Sequence, residues 1–166
     1  GIADKWRGDA QDADHWRDTH FRVRGPVVAQ MQSVFNDNWT KATGRVLHGR
    51  LYFPPMEPVA GGMPAQMFSS SPSGGAESMH LMYLLAITSA KTSIELSNSY
   101  FVPDDLTIKA LVAARKRGVK VRLVVPGPII DSDVVRGASR ADWGPLLEAG
   151  VQIAEFQPTM FHCKVL

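Results

Sequence analysis

The run Val119-Lys120-Val121-Arg122-Leu123-Val124-Val125 decides the fold class. Apolar, mostly β-branched residues alternate with basic ones and then run together, the pattern of a strand buried on at least one face. Gly118 precedes it and ends a helix that Asp104 caps and that runs through Arg117. Before that helix, Ser93 to Phe101 reads as a strand, with Ile94 and Leu96 alternating, and Ala76 to Ala90 reads as a helix with Met79, Tyr83, Ile87 and Ala90 on one stripe. On the other side, Asp131 to Ala149 carries a helix, Gly150 ends it, Val151 to Phe156 is a further strand, and Phe161 to Leu166 alternates again. Helix and strand in strict alternation imply right-handed crossovers and a mainly parallel sheet, so the class is α/β.

The first half reads differently. From Thr19, Phe21 and Val23 alternate with His20, Arg22 and Arg24, which predicts a half-buried strand up to Gly25. Pro26 then opens a helix whose Val28, Met31, Phe35 and Trp39 share a face, with Gly44 as its stop. Trp39 and the helically spaced methionines are expected in the core. Between Pro54 and Gly75, prolines and glycines interrupt every period, so this stretch is a linker or crossing loop with a short strand at Gln66 to Ser69. The resulting division is 1–50, a linker 51–75, and 76–166.

Composition excludes several classes. Of 166 residues, 45% are hydrophobic and 20% charged, enough apolar content for a real core. The longest apolar run, Leu81 to Ile87, is far short of the about 20 residues that cross a bilayer. A net charge of +2 gives no reason to expect a nucleic-acid partner. One cysteine, Cys163, excludes internal disulfides and thiolate zinc clusters, and the five scattered histidines give no metal-site spacing. The opening Gly1-Ile2-Ala3-Asp4-Lys5-Trp6, with neither Met nor leader, reads as the interior of a longer chain.

The chemistry lies at the end of the sequence, in Phe161-His162-Cys163-Lys164-Val165-Leu166. Residues two apart on a strand share a face, so His162 and Lys164 point together, beside the C-terminal end of the Ser93–Phe101 strand. An imidazole that titrates near neutrality beside a fixed ammonium suits phosphoryl transfer: the ring attacks or moves a proton, and the ammonium neutralises the phosphate oxygens. Spacing alone does not single this pair out, because His15-x-Arg17, His20-x-Arg22 and His48-x-Arg50 also occur. A polar strand face that happens to hold His and Lys remains the alternative.

Five further residues are candidates for substrate binding. Asn98 and Tyr100 sit at a strand's C-terminal end, where parallel sheets place ligands, though a turn-capping Asn and a packed Tyr fit equally. Arg136 and Arg140 share a helix face that either meets lipid phosphate or is solvated. His20, with Arg22, belongs either to a phosphate pocket or to a solvated strand face.

Several segments together resemble the phospholipase D superfamily, specifically bacterial cardiolipin synthases. They are Gly1 to Trp6, Trp16-Arg17-Asp18-Thr19-His20, Tyr100-Phe101-Val102-Pro103-Asp104, Val135-Arg136-x-Ala138-Ser139-Arg140, and Phe156 to Lys164. Their order and spacing resemble the family from just after its first His-x-Lys motif to the start of its second. The family's motif continues with four residues and an Asp, which would fall three residues beyond Leu166. The resemblance implies a phospholipase D-like mainly parallel or mixed sheet flanked by helices and truncated at both ends. Residues 1–50 would be the tail of a first half and 76–166 most of a second. It also implies phosphatidyl transfer from phosphatidylglycerol to form cardiolipin through a phosphohistidine, with no metal or organic cofactor, at the bacterial inner membrane. His162 and Lys164 would be catalytic, with His162 as the acid/base. The partners would be a phospholipid, a membrane surface and the missing first motif, so the chain alone is expected to be inactive. A hydrolytic phosphodiesterase or a non-catalytic phosphate- or lipid-binding module are the alternatives.

Overall fold

A computed structural model describes residues 2–71 and 77–166. Gly1, Pro72, Gly74, Gly75 and Ala76, which the sequence reading used, lie outside the described residues. The elements are a 3-10 turn at Asp4–Trp6, helices α1 (Val27–Thr43), α2 (Ser78–Ser89), α3 (Asp105–Lys116), α4 (Asp133–Ala141) and α5 (Trp143–Glu148), and strands β1 (Ser93–Asn98), β2 (Lys120–Pro126), β3 (Gln152–Phe156) and β4 (Lys164–Val165). They divide into two compact units, Gly1–His20 with His80–Leu166, and Phe21–Met79. The described part of the expected 51–75 linker falls inside the second unit.

The first unit holds the sheet, in the order β3-β2-β1-β4. β1, β2 and β3 are parallel, with Leu96 opposite Leu123 and Leu123 opposite Ile153, while β4 runs antiparallel to β1 and sets Lys164 opposite Asn98. The class is therefore α/β with a mixed sheet. Alternation decides the faces. Ile94, Leu96, Val121, Leu123 and Val125 are buried, together with Ile87 of α2, Ala110, Leu111 and Ala114 of α3, and Leu146 of α5. Each fully buried Leu or Ile in this cluster contributes roughly 1.5–3 kcal/mol. On the opposite face Glu95, Arg122 and Gln152 share one row, and Arg122 Nε donates to Glu95 Oε2 at 2.6 Å.

Helix ends follow from local chemistry. Asp104 accepts from the Thr107 backbone N–H at 2.8 Å, and Gly118 beyond α3 takes φ +88°, as a left-handed stop requires. The single helix expected over Asp131–Ala149 is two helices, broken at Asp142. Pro145 is the cause: it has no N–H, and its ring clashes with the Ala141 carbonyl four residues back, so it is tolerated only in the first turn of a new helix. The strand expected over Ser93–Phe101 ends at Asn98, because Asn98 Oδ1 accepts from the Tyr100 N–H at 3.0 Å and turns the chain.

The second unit is built on α1. Its Gly44 stop is left-handed, as the sequence implies. Its apolar stripe, however, is not core: Met31, Phe35 and Trp39 are exposed, and Met79 is exposed at the start of α2. Polar side chains tie α1 to the chain that follows it. Asn36 Nδ2 donates to the Leu47 carbonyl while Asn36 Oδ1 accepts from the Leu47 N–H, and Gln30 Oε1 accepts from the Met67 N–H. That last bond also explains why Gln66–Ser69 is not a strand, since a side chain has taken the place of a ladder partner. Thr19–Gly25 is not a strand either. Phe21 and Val23 are exposed, and the Thr19 N–H is used by the Asp18 carboxylate.

Candidate active site

The site forms where a segment near the N-terminus runs beside the end of the chain. The Arg17 N–H donates to the Met160 carbonyl at 2.8 Å, and the His162 N–H donates to the Arg17 carbonyl at 2.7 Å. Thr159, fully buried, adds a hydroxyl bond to the His15 carbonyl at 2.8 Å. On its other side the same terminal segment meets β1, with Ser99 N–H on the Cys163 carbonyl at 2.9 Å. Regular strand geometry is confined to Lys164–Val165, shorter than the Phe161–Leu166 expected from alternation, because residues 161–163 divide their hydrogen bonds between these two neighbours.

Alternation still sets the directions. Phe161 and Cys163 are buried, and His162 and Lys164 project together. Lys164 Nζ lies 3.0 Å from His162 Nε2 and 3.2 Å from Nδ1, and donates to the His162 carbonyl at 3.1 Å. Asp18 Oδ2 stands 3.2 Å from His162 Nδ1, while Asp18 Oδ1 accepts from the Thr19 N–H at 2.8 Å. When Nδ1 carries a proton it donates to this carboxylate, and Nε2 is then free to accept.

Three aromatic rings enclose the imidazole. Trp6 lies 4.8 Å away and Tyr100 5.7 Å away, both edge-on, and Trp16 lies 5.5 Å away, tilted. Lys5 Nζ caps the outer side, 3.9 Å from the Trp16 ring centre. Tyr100 donates its hydroxyl to Asp131 Oδ2 at 2.8 Å and lies under Lys164 Nζ at 5.1 Å. Desolvation and this bond push the Tyr100 phenol up to about 12. Burial pulls the Lys164 ammonium below its usual range, opposed by the charges of Asp18, Cys163 and Asp131. Among the described residues no cluster of His, Cys, Asp and Glu could hold a metal ion.

Residues 83–166 match the family model described as "Cardiolipin synthase, PLD-like domain", which is half of the chain. The chain belongs to this phospholipase D-like family. It is 36% identical to a cardiolipin synthase of Alkalihalophilus pseudofirmus and 37% identical to one of Geobacillus thermodenitrificans, each match covering 99% of this chain and 33% of the relative. The chain therefore spans about a third of the length of the curated relatives it matches. Among solved structures it is similar to Nuc, a phospholipase D family member of Salmonella typhimurium, at 35% identity over 51% of each chain and a TM-score of 0.40.

Within this phospholipase D-like chain the other singled-out residues are distributed unevenly. Tyr100 joins His162 and Lys164. Asn98 pairs with Lys164 across the strands and spends its side chain on the turn. Arg136 and Arg140 share a face as expected, but both reach one oxygen of Glu155, at 2.8 and 3.0 Å. His20 lines a cleft with Trp6, Asp9, Trp16 and Asp18. Asp18, Trp6, Trp16 and Asp131 were not singled out from the sequence. Asp18 and the two tryptophans occur in the segments that carry the family resemblance, but nothing in their local spacing links them to a histidine at the other end of the chain, 144 residues from Asp18.

Proposed function

We propose that this chain supplies the acid–base half of a phosphatidyltransferase site, transferring phosphatidyl groups from phosphatidylglycerol to form cardiolipin through a phosphohistidine. The observation that carries the reading is His162 held between the Asp18 carboxylate and the Lys164 ammonium. In this reading the histidine of the first His-x-Lys motif, outside residues 1–166, attacks phosphorus. A P–N bond forms, the P–O bond to glycerol breaks, and protonated His162 gives its proton to the leaving oxygen. The reverse follows: His162 takes the proton of an incoming hydroxyl as that oxygen attacks phosphorus and the P–N bond breaks. Asp18 stabilises the imidazolium and fixes its orientation. Lys164 offsets the charge that builds on the phosphoryl oxygens.

Residues 1–50 then belong to the first half of a two-motif protein and 76–166 to its second. The lipid substrate puts the complete protein at a membrane surface, the bacterial inner membrane. No described helix is long and apolar enough to cross a bilayer. The test uses the complete two-motif protein in vesicles of labelled phosphatidylglycerol. Cardiolipin and free glycerol are the expected products, and residues 1–166 alone should make neither. Phosphatidic acid as the main product would mean that water is the acceptor and would overturn the transferase reading.

A further inference from the structure

Thr159 has no part in the chemistry above. It is fully buried, and its hydroxyl lies 2.8 Å from the His15 carbonyl and 3.2 Å from the Ala13 carbonyl. Both carbonyls belong to the segment that carries Asp18, the carboxylate at His162 Nδ1. We propose that Thr159 is a positioning residue: its hydroxyl anchors residues 13–15 to the end of the chain and thereby sets Asp18 against His162. The proposal rests on the acid–base reading of His162 and adds the residue that fixes its carboxylate partner in place.

The points of attachment single Thr159 out. Arg17, one residue before Asp18, makes two backbone bonds to the end of the chain: its N–H donates to the Met160 carbonyl at 2.8 Å, and its carbonyl accepts from the His162 N–H at 2.7 Å. Two bonds at one residue fix a point and leave the chain on either side free to pivot about it. Downstream, the Thr19 hydroxyl meets Cys163 Sγ at 3.3 Å, and a thiol sulfur is a weak acceptor. Upstream, the Trp16 N–H donates to the Lys5 carbonyl at 2.7 Å, a bond within the N-terminal segment that does not tie it to residues 159–163. Thr159 supplies the second strong point of attachment, its one proton shared between two carbonyls.

Burial makes that attachment firm where the contact it serves is not. A buried hydroxyl has no water to turn to, so Thr159 keeps its partners. The Asp18 side chain is 38% exposed, and its 3.2 Å contact with Nδ1 is longer than the about 2.7–2.9 Å of a tight charge-assisted bond. A small outward shift of the segment therefore lets the carboxylate exchange His162 for water. Thr159→Val keeps nearly the same shape and removes the proton that prevents this shift.

The test uses the complete two-motif protein with two donors: phosphatidylglycerol in vesicles, whose leaving glycerol needs a proton, and a nitrophenyl phosphodiester, whose leaving group does not. The amplitude of first-turnover nitrophenol release counts folded sites, and every rate is taken per site. Thr159→Val should slow cardiolipin formation about tenfold to 10²-fold, the cost of a misplaced group, and leave the rate of first-turnover nitrophenol release within about threefold of the unaltered protein. Thr159→Ser, which restores the hydroxyl, should recover most of the lost rate. Asp18→Asn should slow cardiolipin formation by a similar factor, and adding Thr159→Val to it should slow it no further, because both changes act on one contact. Losses that multiply, a Thr159→Ser as slow as Thr159→Val, or a Thr159→Val at the unaltered rate would each overturn the proposal. If Thr159→Val gives no folded sites, Thr159→Ala takes its place with the same outcomes. Nitrophenol release that falls in step with cardiolipin formation, while the losses still fail to multiply, keeps Thr159 as the positioning residue and contradicts the role of His162 proposed above. Multiplying losses with nitrophenol release intact contradict this inference alone.

Discussion

At the scale of single residues, His162 acquires its setting from neighbours of three kinds. A carboxylate stands at one nitrogen, an ammonium lies against the ring, and three aromatic rings pack around it. The pairing of His162 with Lys164 was legible in the sequence because a period of two is enough to put both on one side. Asp18 was not, since no local pattern encodes a contact across 144 residues. Tyr100 gives this scale a titration. Its folded-state pKa lies above the ordinary value of 10, at about 12, first through desolvation and then through Asp131. Stability from this group is therefore present below pH 10 and is lost as pH rises from 10 through about 12. Absorbance of tyrosinate in the folded chain should show a component ionising near pH 12 that disappears in Tyr100→Phe and moves downward in Asp131→Asn. If no component ionises that late before unfolding, the desolvated setting of Tyr100 is wrong; if Asp131→Asn leaves the component unmoved, the Tyr100–Asp131 contact is wrong.

At the scale of elements, the parallel strands and their helices were readable because each carries its own punctuation. Asp104, Gly118 and Gly150 mark boundaries whatever the rest of the chain does. The misreadings came where a partner decides. Phe21 and Val23 have the alternation of a strand but pair with no strand among the described residues, and Met31, Phe35 and Trp39 form a helical stripe that stays exposed. Periodicity tells which residues share a face, not what covers it. Two glycine stops differ in a way that can be measured. Gly118 and Gly150 both have positive φ, but a Cβ at Gly118 meets open space, while one at Gly150 comes within 3.1 Å of Arg115 Nη2. Arg115 cannot withdraw freely, because it donates to the Val119 carbonyl at 2.8 Å and to the Ala149 carbonyl at 3.3 Å. In urea unfolding, Gly118→Ala should therefore cost about 1–2 kcal/mol from backbone conformation alone. Gly150→Ala should cost more, by up to about another 1 kcal/mol for the strained helix-end bonds. Equal losses would mean that Arg115 does not hold the end of α5.

At the scale of the whole molecule, the sequence placed the His162–Lys164 pair on one side of a strand and the α/β class. The union of residues 13–19 with 159–163 that completes the surroundings of His162 appeared only in three dimensions. Family membership connects these parts: a chain that covers about a third of its relatives' length carries one His-x-Lys pair, and the proposed chemistry needs two. In the proposed chemistry His162 is the acid and not the nucleophile. A general acid typically contributes 10²–10⁴-fold, and its loss matters least when the leaving group needs no proton. The direct measurement is to react the complete two-motif protein carrying His162→Ala with a nitrophenyl phosphodiester and look for the phosphorylated histidine. The account predicts release of nitrophenol and a phosphohistidine that accumulates, because no base remains to activate the acceptor, while turnover of phosphatidylglycerol falls by about 10²-fold or more. A folded variant that forms no such adduct would make His162 the nucleophile and contradict the account.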